Sequence, residues 1–319
     1  MLDAIKERLR KHTKFGENRY LRYLLRYDEK RFAEHSSLRG RGAQAATAEI
    51  RVLSHAVEKA MSLPECRPNF GKEKILKLIE LYEAHAAQFS DIDPQIEGVV
   101  CGTIQAYAAF QKAHGIEPSF IPARYLEARL GDHGAGVVHV PPKEATDFAA
   151  IASRRKSARY YGAGPISPEL VKEAVQIAQT APSACNRQST RVYACLHDGT
   201  IDKIMALHPG VKGFGKPGAV FVLTGDLSLY QNEMERHTVF IDGGLFAMNL
   251  LYALDCFGLV SCPAIWGSEP DHDRELAALL GIPANETVLL LILSGRCPED
   301  GYDAAVSGKR DVSDVLRVI

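Results

Sequence analysis

The sequence predicts two regions of different class: an all-helical one over residues 1–140 and a mixed α and β one over residues 148–319. Three observations carry this division. Before residue 131, apolar residues recur at helical spacing almost throughout. Residues 131–147 hold glycines, the adjacent pair Pro141-Pro142 and no helical period, so they read as a linker. After residue 147, short apolar runs of strand composition alternate with helical patterns. Neither region shows an internal repeat.

Leu2, Ile5 and Leu9 begin an amphipathic pattern, and Tyr20, Leu21, Leu24 and Leu25 continue one. Val52, Val57 and Met61 lie on a further segment. Ile75, Leu78, Ile79 and Tyr82 follow the helical repeat closely, with Pro64 and Pro68 breaking the chain ahead of them. Residues 95–114 form another helix. In the second region Ser167 or Pro168 opens a helix through Thr180. Residues 191–196 are a short strand, and 219–224 a buried one ending at Gly225-Asp226. Residues 242–254 make a long apolar helix, followed by a short extended segment at 259–263. A helix at 271–280 ends on Gly281, with Pro283 beyond it. Residues 287–294 have the composition of a central strand.

Several function classes are disfavoured. The 319 residues suffice for two cores, and 46% apolar with 24% charged residues is ordinary globular composition. A net charge of −1 argues against a nucleic-acid binder, which needs a basic footprint. Residues 1–50 carry a local basic excess, read as a solvated helix face rather than a membrane or polyanion contact. No run of about 18 apolar residues occurs, so no transmembrane segment is expected. The charged start lacks the apolar core of a signal peptide. Seven scattered cysteines without a CxxC pair read as reduced thiols, so a cytoplasmic location is expected, and no zinc spacing appears.

Two segments could carry chemistry. Arg155-Lys156-Ser157-Ala158-Arg159 places three cations and a hydroxyl just before a helix. A phosphate needs such donors, and so does the anionic edge of a reduced flavin. On these residues alone, a solvated basic loop is the simpler reading. Residues 181–188, Ala-Pro-Ser-Ala-Cys-Asn-Arg-Gln, join a helix to a strand. Small residues let such a turn press on something flat, and Asn and Gln can read the edge of a heteroaromatic ring. Alone, it is a polar turn.

The two segments, in this order and about 25 residues apart, resemble the opening of the FMN-dependent nitroreductase family. So do Gly258-Leu259-Val260-Ser261-Cys262-Pro263 at the end of the long helix and the late pair Lys309-Arg310. The resemblance covers 150–319 and implies an α+β fold, a mostly antiparallel sheet flanked by helices, in a homodimer. It implies that FMN is bound, that NADH or NADPH donates electrons, and that a small organic molecule such as a nitroaromatic or a quinone accepts them. By the same resemblance, Arg155 and Ser157, with Lys156 beside them, hold the ribityl phosphate region, and Arg159 faces the ring's N1–C2=O side. Pro182, Ser183, Ala184 and Asn186 come from the partner subunit to cover the ring, with Gln188 supporting the turn. Pro263, Ala264 and Ile265 run along the ring, and Lys309 and Arg310 complete the phosphate site. The chain departs from the family pattern at Lys156, where Arg or His is usual, and at Ser189-Thr190, which replaces Pro-Trp. The piece His55-Ala56-Val57-Glu58-Lys59, with Pro64 and Phe70-Gly71, is similar to an N-terminal extension of nitroreductase-like proteins from bacterial polysaccharide gene clusters.

Other features are read as structural. Gly213-Phe214-Gly215-Lys216-Pro217-Gly218 matches GxGxxG but precedes a strand, so a dinucleotide site is not expected there. His55 and Glu58 read as an internal polar contact. Cys185 and Cys262 read as small packed residues. Trp266 reads equally as a pocket wall or as core. No nucleophile or carboxylate dyad stands out, which suits a protein whose cofactor carries the chemistry. It equally suits the alternative, a flavin-binding or flavin-free regulatory scaffold whose helical region binds a partner.

Overall fold

The structure, a computed structural model, describes residues 14–37, 42–61, 66–89, 94–130, 135–137, 148–267, 269–302, 304 and 311–319. The pattern at Leu2, Ile5 and Leu9 and most of the linker lie outside these residues.

The first region consists of α1 (Lys14–His35), α2 (Ala43–Met61), α3 (Lys72–Gln88), α4 (Pro94–Ala113) and the short α5 (Ala123–Leu126). Their apolar stripes meet in one core. Ile75, Leu78 and Ile79 of α3 join Ile50 and Val57 of α2, and Ile96, Val100, Ile104 and Tyr107 of α4. The 3.6-residue repeat seen in the sequence puts these side chains on single faces. Part of the stretch read as a linker is packed. The Gly136 N–H donates to Glu58 Oε1 at 2.7 Å, and a Cβ on Gly102 would lie 2.6 Å from the Ala135 nitrogen. Glu58 also sits 3.8 Å from His55, so this pair is a polar contact inside the helical region.

The second region is α+β. It runs α6 (Phe148–Arg154), α7 (Pro168–Ala178), β1 (Thr190–Cys195), α8 (Asp198–Leu207), β2 (Ala219–Asp226), α9 (Thr238–Cys256), β3 (Leu259–Ile265), α10 (Pro270–Leu280), β4 (Glu286–Arg296) and α11 (Val312–Val315). The strands form one antiparallel sheet in the order β1-β2-β4-β3. β2 and β4 are central and covered on both faces, which explains their nearly unbroken apolar sequences. Phe221, Leu223 and Ile292 face α7 and α9, meeting Ala174, Phe246, Leu250 and Leu254. Val220, Val222, Leu291 and Leu293 face the other way, toward Ile201 and Ile204 of α8 and Leu276 of α10. This alternation is the period of two of a pleated strand.

Local chemistry sets the ends. The Ser167 hydroxyl accepts from the Leu170 N–H and caps α7, with Pro168 at its first turn. Gly281 ends α10 at φ 67°. The sequence pattern showed neither α6 nor α8, because α8 fully buries only Ile201 and Ile204 and α6 buries nothing completely. At 19 residues, α9 is long and apolar enough to cross a membrane, which the expectation from uninterrupted runs overlooked. It lies across the sheet with Phe246, Leu250 and Leu254 in the core, and it carries the buried Asp242.

Among the described residues, the regions touch at several places. Arg31 Nη1 reaches Asp273 Oδ2 at 2.5 Å, and the Tyr27 hydroxyl donates to the same oxygen at 2.9 Å. Elsewhere α2 packs on the turns Ala184–Asn186 and Leu227–Leu229.

One close approach fixes the cationic segment. The Gly162 N–H donates to the Arg296 carbonyl at 2.9 Å, and a Cβ at Gly162 would meet the Cys297 carbonyl oxygen at 2.7 Å. Backbone cannot yield as a side-chain tip does. Gly162→Val is therefore expected to cost about 1–3 kcal/mol, read as a lower urea midpoint. An unchanged midpoint would show that the strip can shift freely.

Candidate flavin site

The strip after α6 runs beside the open edge of β3. Ser157 bridges to Ser261, and the Ala158 N–H donates to the Ser261 carbonyl at 3.0 Å. This pairing sets Arg155, Ser157 and Arg159 around Cys262. Burial pushes the Cys262 thiol up, while Arg159, a hydrogen bond from Ser157 and Arg155 pull it down. Ser157 thus meets Cys262, with the Arg155 and Arg159 charges near enough to act on its thiol. Arg155 is half-buried, and its Nη1 is buried without a hydrogen-bond partner in the described structure. A guanidinium N–H in that state suits an anionic acceptor. Lys156 is exposed and turns its carbonyl to the Tyr302 hydroxyl at 3.2 Å, so the chain beyond β4 returns to this strip. Lys309 and Arg310 lie outside the described residues.

Along β3, Pro263 and Ile265 are exposed and Ala264 is buried, as strand alternation requires. The 75% exposure of Ile265, in a strand buried from Leu259 to Cys262, leaves an apolar surface at its end. Ala264 turns its side chain into the core, so only its backbone is available to a ligand. His208 holds the end of the strand: its Nδ1 accepts from the Gly210 N–H, and its Nε2 lies 3.1 Å from the Ile265 carbonyl. The glycine motif at 213–218 is a loop into β2, as its position before a strand required. It belongs to the site's wall all the same. The Gly215 N–H donates to the Arg159 carbonyl at 2.8 Å, and the Arg159 guanidinium lies 5.8 Å from the Phe214 ring centre. Lys216 pairs with Asp202 at 3.0 Å, away from the strip. Trp266 packs on His208 and donates to Asp273 at 3.1 Å, which makes it a core residue.

The polar turn at 182–188 is elsewhere. It leads into β1, and β1 and β3 are opposite edges of the sheet. Three strand spacings, roughly 14 Å, separate those edges within one chain. Pro182, Asn186 and Gln188 are exposed, and Ser183 and Ala184 half-buried. Cys185, Asn186 and Gln188 adopt φ of 52°, 51° and 53°, the left-handed region that side chains avoid. Such strain persists only where surroundings hold it. The Gln188 N–H donates to Ser183 Oγ at 2.9 Å, and the Ala184 N–H to Asp242 Oδ1 at 3.0 Å. Asp242 Oδ2 accepts from the Tyr230 hydroxyl at 3.2 Å, which in turn lies 2.6 Å from Ser189 Oγ. Arg187 Nη2 reaches Glu235 Oε1 at 2.5 Å. The sequence reading gave Asp242, Tyr230 and Arg187 no role. A carboxylate amid the apolar residues of a long helix was the available signal.

Burial pushes the Asp242 carboxyl above its ordinary 3.8, opposed by the Ala184 N–H, the Tyr230 hydroxyl and Arg187. The folded chain thus holds this proton more tightly than the unfolded chain. The associated stability is complete below 3.8 and is lost as pH rises through the elevated folded value. Asp242→Asn keeps an acceptor oxygen and cannot ionise. Its stability relative to wild type is expected to climb as pH rises above 3.8, seen in urea unfolding across a pH series. Parallel pH profiles for the two proteins would refute the assignment.

The C-terminal region is thus an antiparallel sheet between helices, with a cationic strip on one edge and a braced polar turn on the other. Residues 152–212 match the model of the nitroreductase family. A Thermus thermophilus protein named NADH dehydrogenase is 25% identical over an alignment covering 49% of this chain and 89% of that protein. A nitroreductase-like protein from Streptococcus mutans superposes at a TM-score of 0.46 and 20% identity, covering 54% of this chain and 98% of the other. A nitroreductase-type protein from Desulfovibrio desulfuricans, solved in complex with FMN, gives 0.46 at 20% identity, covering 54% and 96%.

Proposed function

We propose that the C-terminal region binds FMN between two copies of this chain and acts as an NAD(P)H-dependent oxidoreductase on a small organic acceptor. The observation that carries this is the convergence of Arg155, Ser157 and Arg159 at the β3 edge, with an unpartnered buried N–H on Arg155. The family match over 152–212 contains that strip and the polar turn. When bound, FMN supplies a two-electron carrier that accepts hydride from a nicotinamide and passes electrons on.

The chain's own residues bind, orient and exclude water. Arg155 and Ser157 hold the phosphate end, with Lys309 and Arg310 assigned to the same group by the family pattern. Arg159 places positive charge where a reduced ring carries negative charge. Pro263 and Ile265 offer an apolar edge, and the backbone of Ala264 supplies a polar contact. Pro182, Ser183, Ala184, Asn186 and Gln188 reach across from the partner. The separation of the two sheet edges supports this sharing, because one chain cannot bring both to the same ring. Exposed Phe240, Ile241 and Leu245 on α9, with Ile177 on α7, give a second copy an apolar face to cover.

The helical region is assigned as a cap. α2 packs directly on the turn Ala184–Asn186, so it can shape what approaches the ring. Purified full-length protein is expected to show flavin absorbance or to take up added FMN, and anaerobic NADH or NADPH should bleach it. A protein that stays colourless and gains no thermal stability from FMN would favour a flavin-free scaffold instead.

A further inference from the structure

A cavity of about 370 Å³ lies where the helical region meets the polar turn, behind the residues assigned to the partner's ring. Thr47 and Arg51 of α2 and Gln95 of α4 line it from one side, and α7, β1 and α9 from the other. Part of the cavity's lining is cationic. Arg51, Arg187 and Arg191 line it against a single carboxylate, Asp242. Arg187 is only 4% exposed, and its Nε and Nη1 have no hydrogen-bond partner, while Nη2 is held by Glu235. Asp242 accepts from the Ala184 N–H and the Tyr230 hydroxyl and makes no hydrogen bond to those two Arg187 nitrogens. Buried donors without acceptors are costly, and an anion would satisfy them. Val175, Val192, Leu229 and Phe246 supply its apolar lining.

We propose that this cavity binds a small organic anion, its charged group on Arg187 and Arg51 and its apolar body against Val175 and Phe246. The site stands apart from the cationic strip at the β3 edge and does not depend on the flavin reading. It shares Pro182, Ser183 and Gln188 with the turn, so an occupant would couple the helical cap to the element assigned to the partner's ring.

The test titrates full-length protein, with and without saturating FMN, using benzoate, phenyl phosphate and the neutral benzyl alcohol. Binding is followed by calorimetry and thermal shift. At least one of the two anions should bind saturably and more tightly than benzyl alcohol. Arg51→Gln and Arg187→Lys should each weaken that anion roughly tenfold or more, with FMN uptake by Arg51→Gln unchanged. Should Arg187→Lys fail to fold, Arg51→Gln alone decides. Binding of neither anion, equal binding of benzyl alcohol, or an unaltered Arg51→Gln would overturn the proposal. So would loss of anion binding on saturation with FMN, which would make the cavity part of the cofactor's pocket. A protein that binds the anion but never FMN would reject the flavin reading and leave this one standing.

Discussion

Arg155→Ala is expected to weaken FMN binding roughly 10–100-fold, the loss of a charge-assisted hydrogen bond worth about 1.5–3 kcal/mol. Arg155 holds one N–H buried without a partner, so removing it should cost the fold little and the ligand much. Quenching of FMN fluorescence measures the affinity, and the urea midpoint should stay near that of wild type. Affinity equal to wild type would remove the phosphate role. The same variant tests the shared site. Chains carrying Arg155→Ala and chains carrying Asn186→Ala should each bind poorly alone. When the two are mixed and refolded together, hybrid dimers should regain one intact site, because strip and turn then come from undamaged copies. If both elements served the same chain, no hybrid could recover.

Glu235→Ala should lower stability by about 3 kcal/mol, the effect of leaving one member of a buried ion pair uncompensated. Arg187 is 3% exposed at its side chain, and Glu235 is its acceptor at 2.5 Å. Glu235 Oε2 also accepts the Gln231 N–H at 2.8 Å, so the loop before α9 loosens with it. Asp242 lies near enough to feel the Arg187 charge, which limits the loss. Adding Arg187→Met to Glu235→Ala should recover part of the stability, since no buried charge is then left alone. Urea unfolding of the two single variants and the double variant completes the cycle. A double variant weaker than the sum of the singles would show that the pair is not the governing interaction.

Much of the fold was legible because its cause is periodic. Ile75, Leu78 and Ile79 announce a helix wherever they are met, and the stretch of β4 from Val288 to Leu293 announces a strand covered on both sides. Ser167-Pro168 and Gly281 mark helix ends through local hydrogen bonding and backbone freedom, which depend on a few neighbouring residues. α8 was missed because only two of its side chains are fully buried. The packing of Ala135 and Gly136 against the helices was missed because a glycine-rich stretch looks the same whether it is packed or solvated.

The site divides along the same line. Residue type named the cations at 155–159 and the polar turn at 182–188, since charge and small side chains are properties of the residues themselves. Only the tertiary structure could set the strip against β3, leave an Arg155 N–H without an acceptor, and send the turn to the opposite edge of the sheet. Pairing between strands distant in sequence decides those positions. The brace of Asp242, Tyr230, Ser189 and Arg187 and the cavity lined by Arg51 likewise exist only once α2 and α9 have closed on the turn, because the partners that satisfy a buried polar group are brought to it by folding.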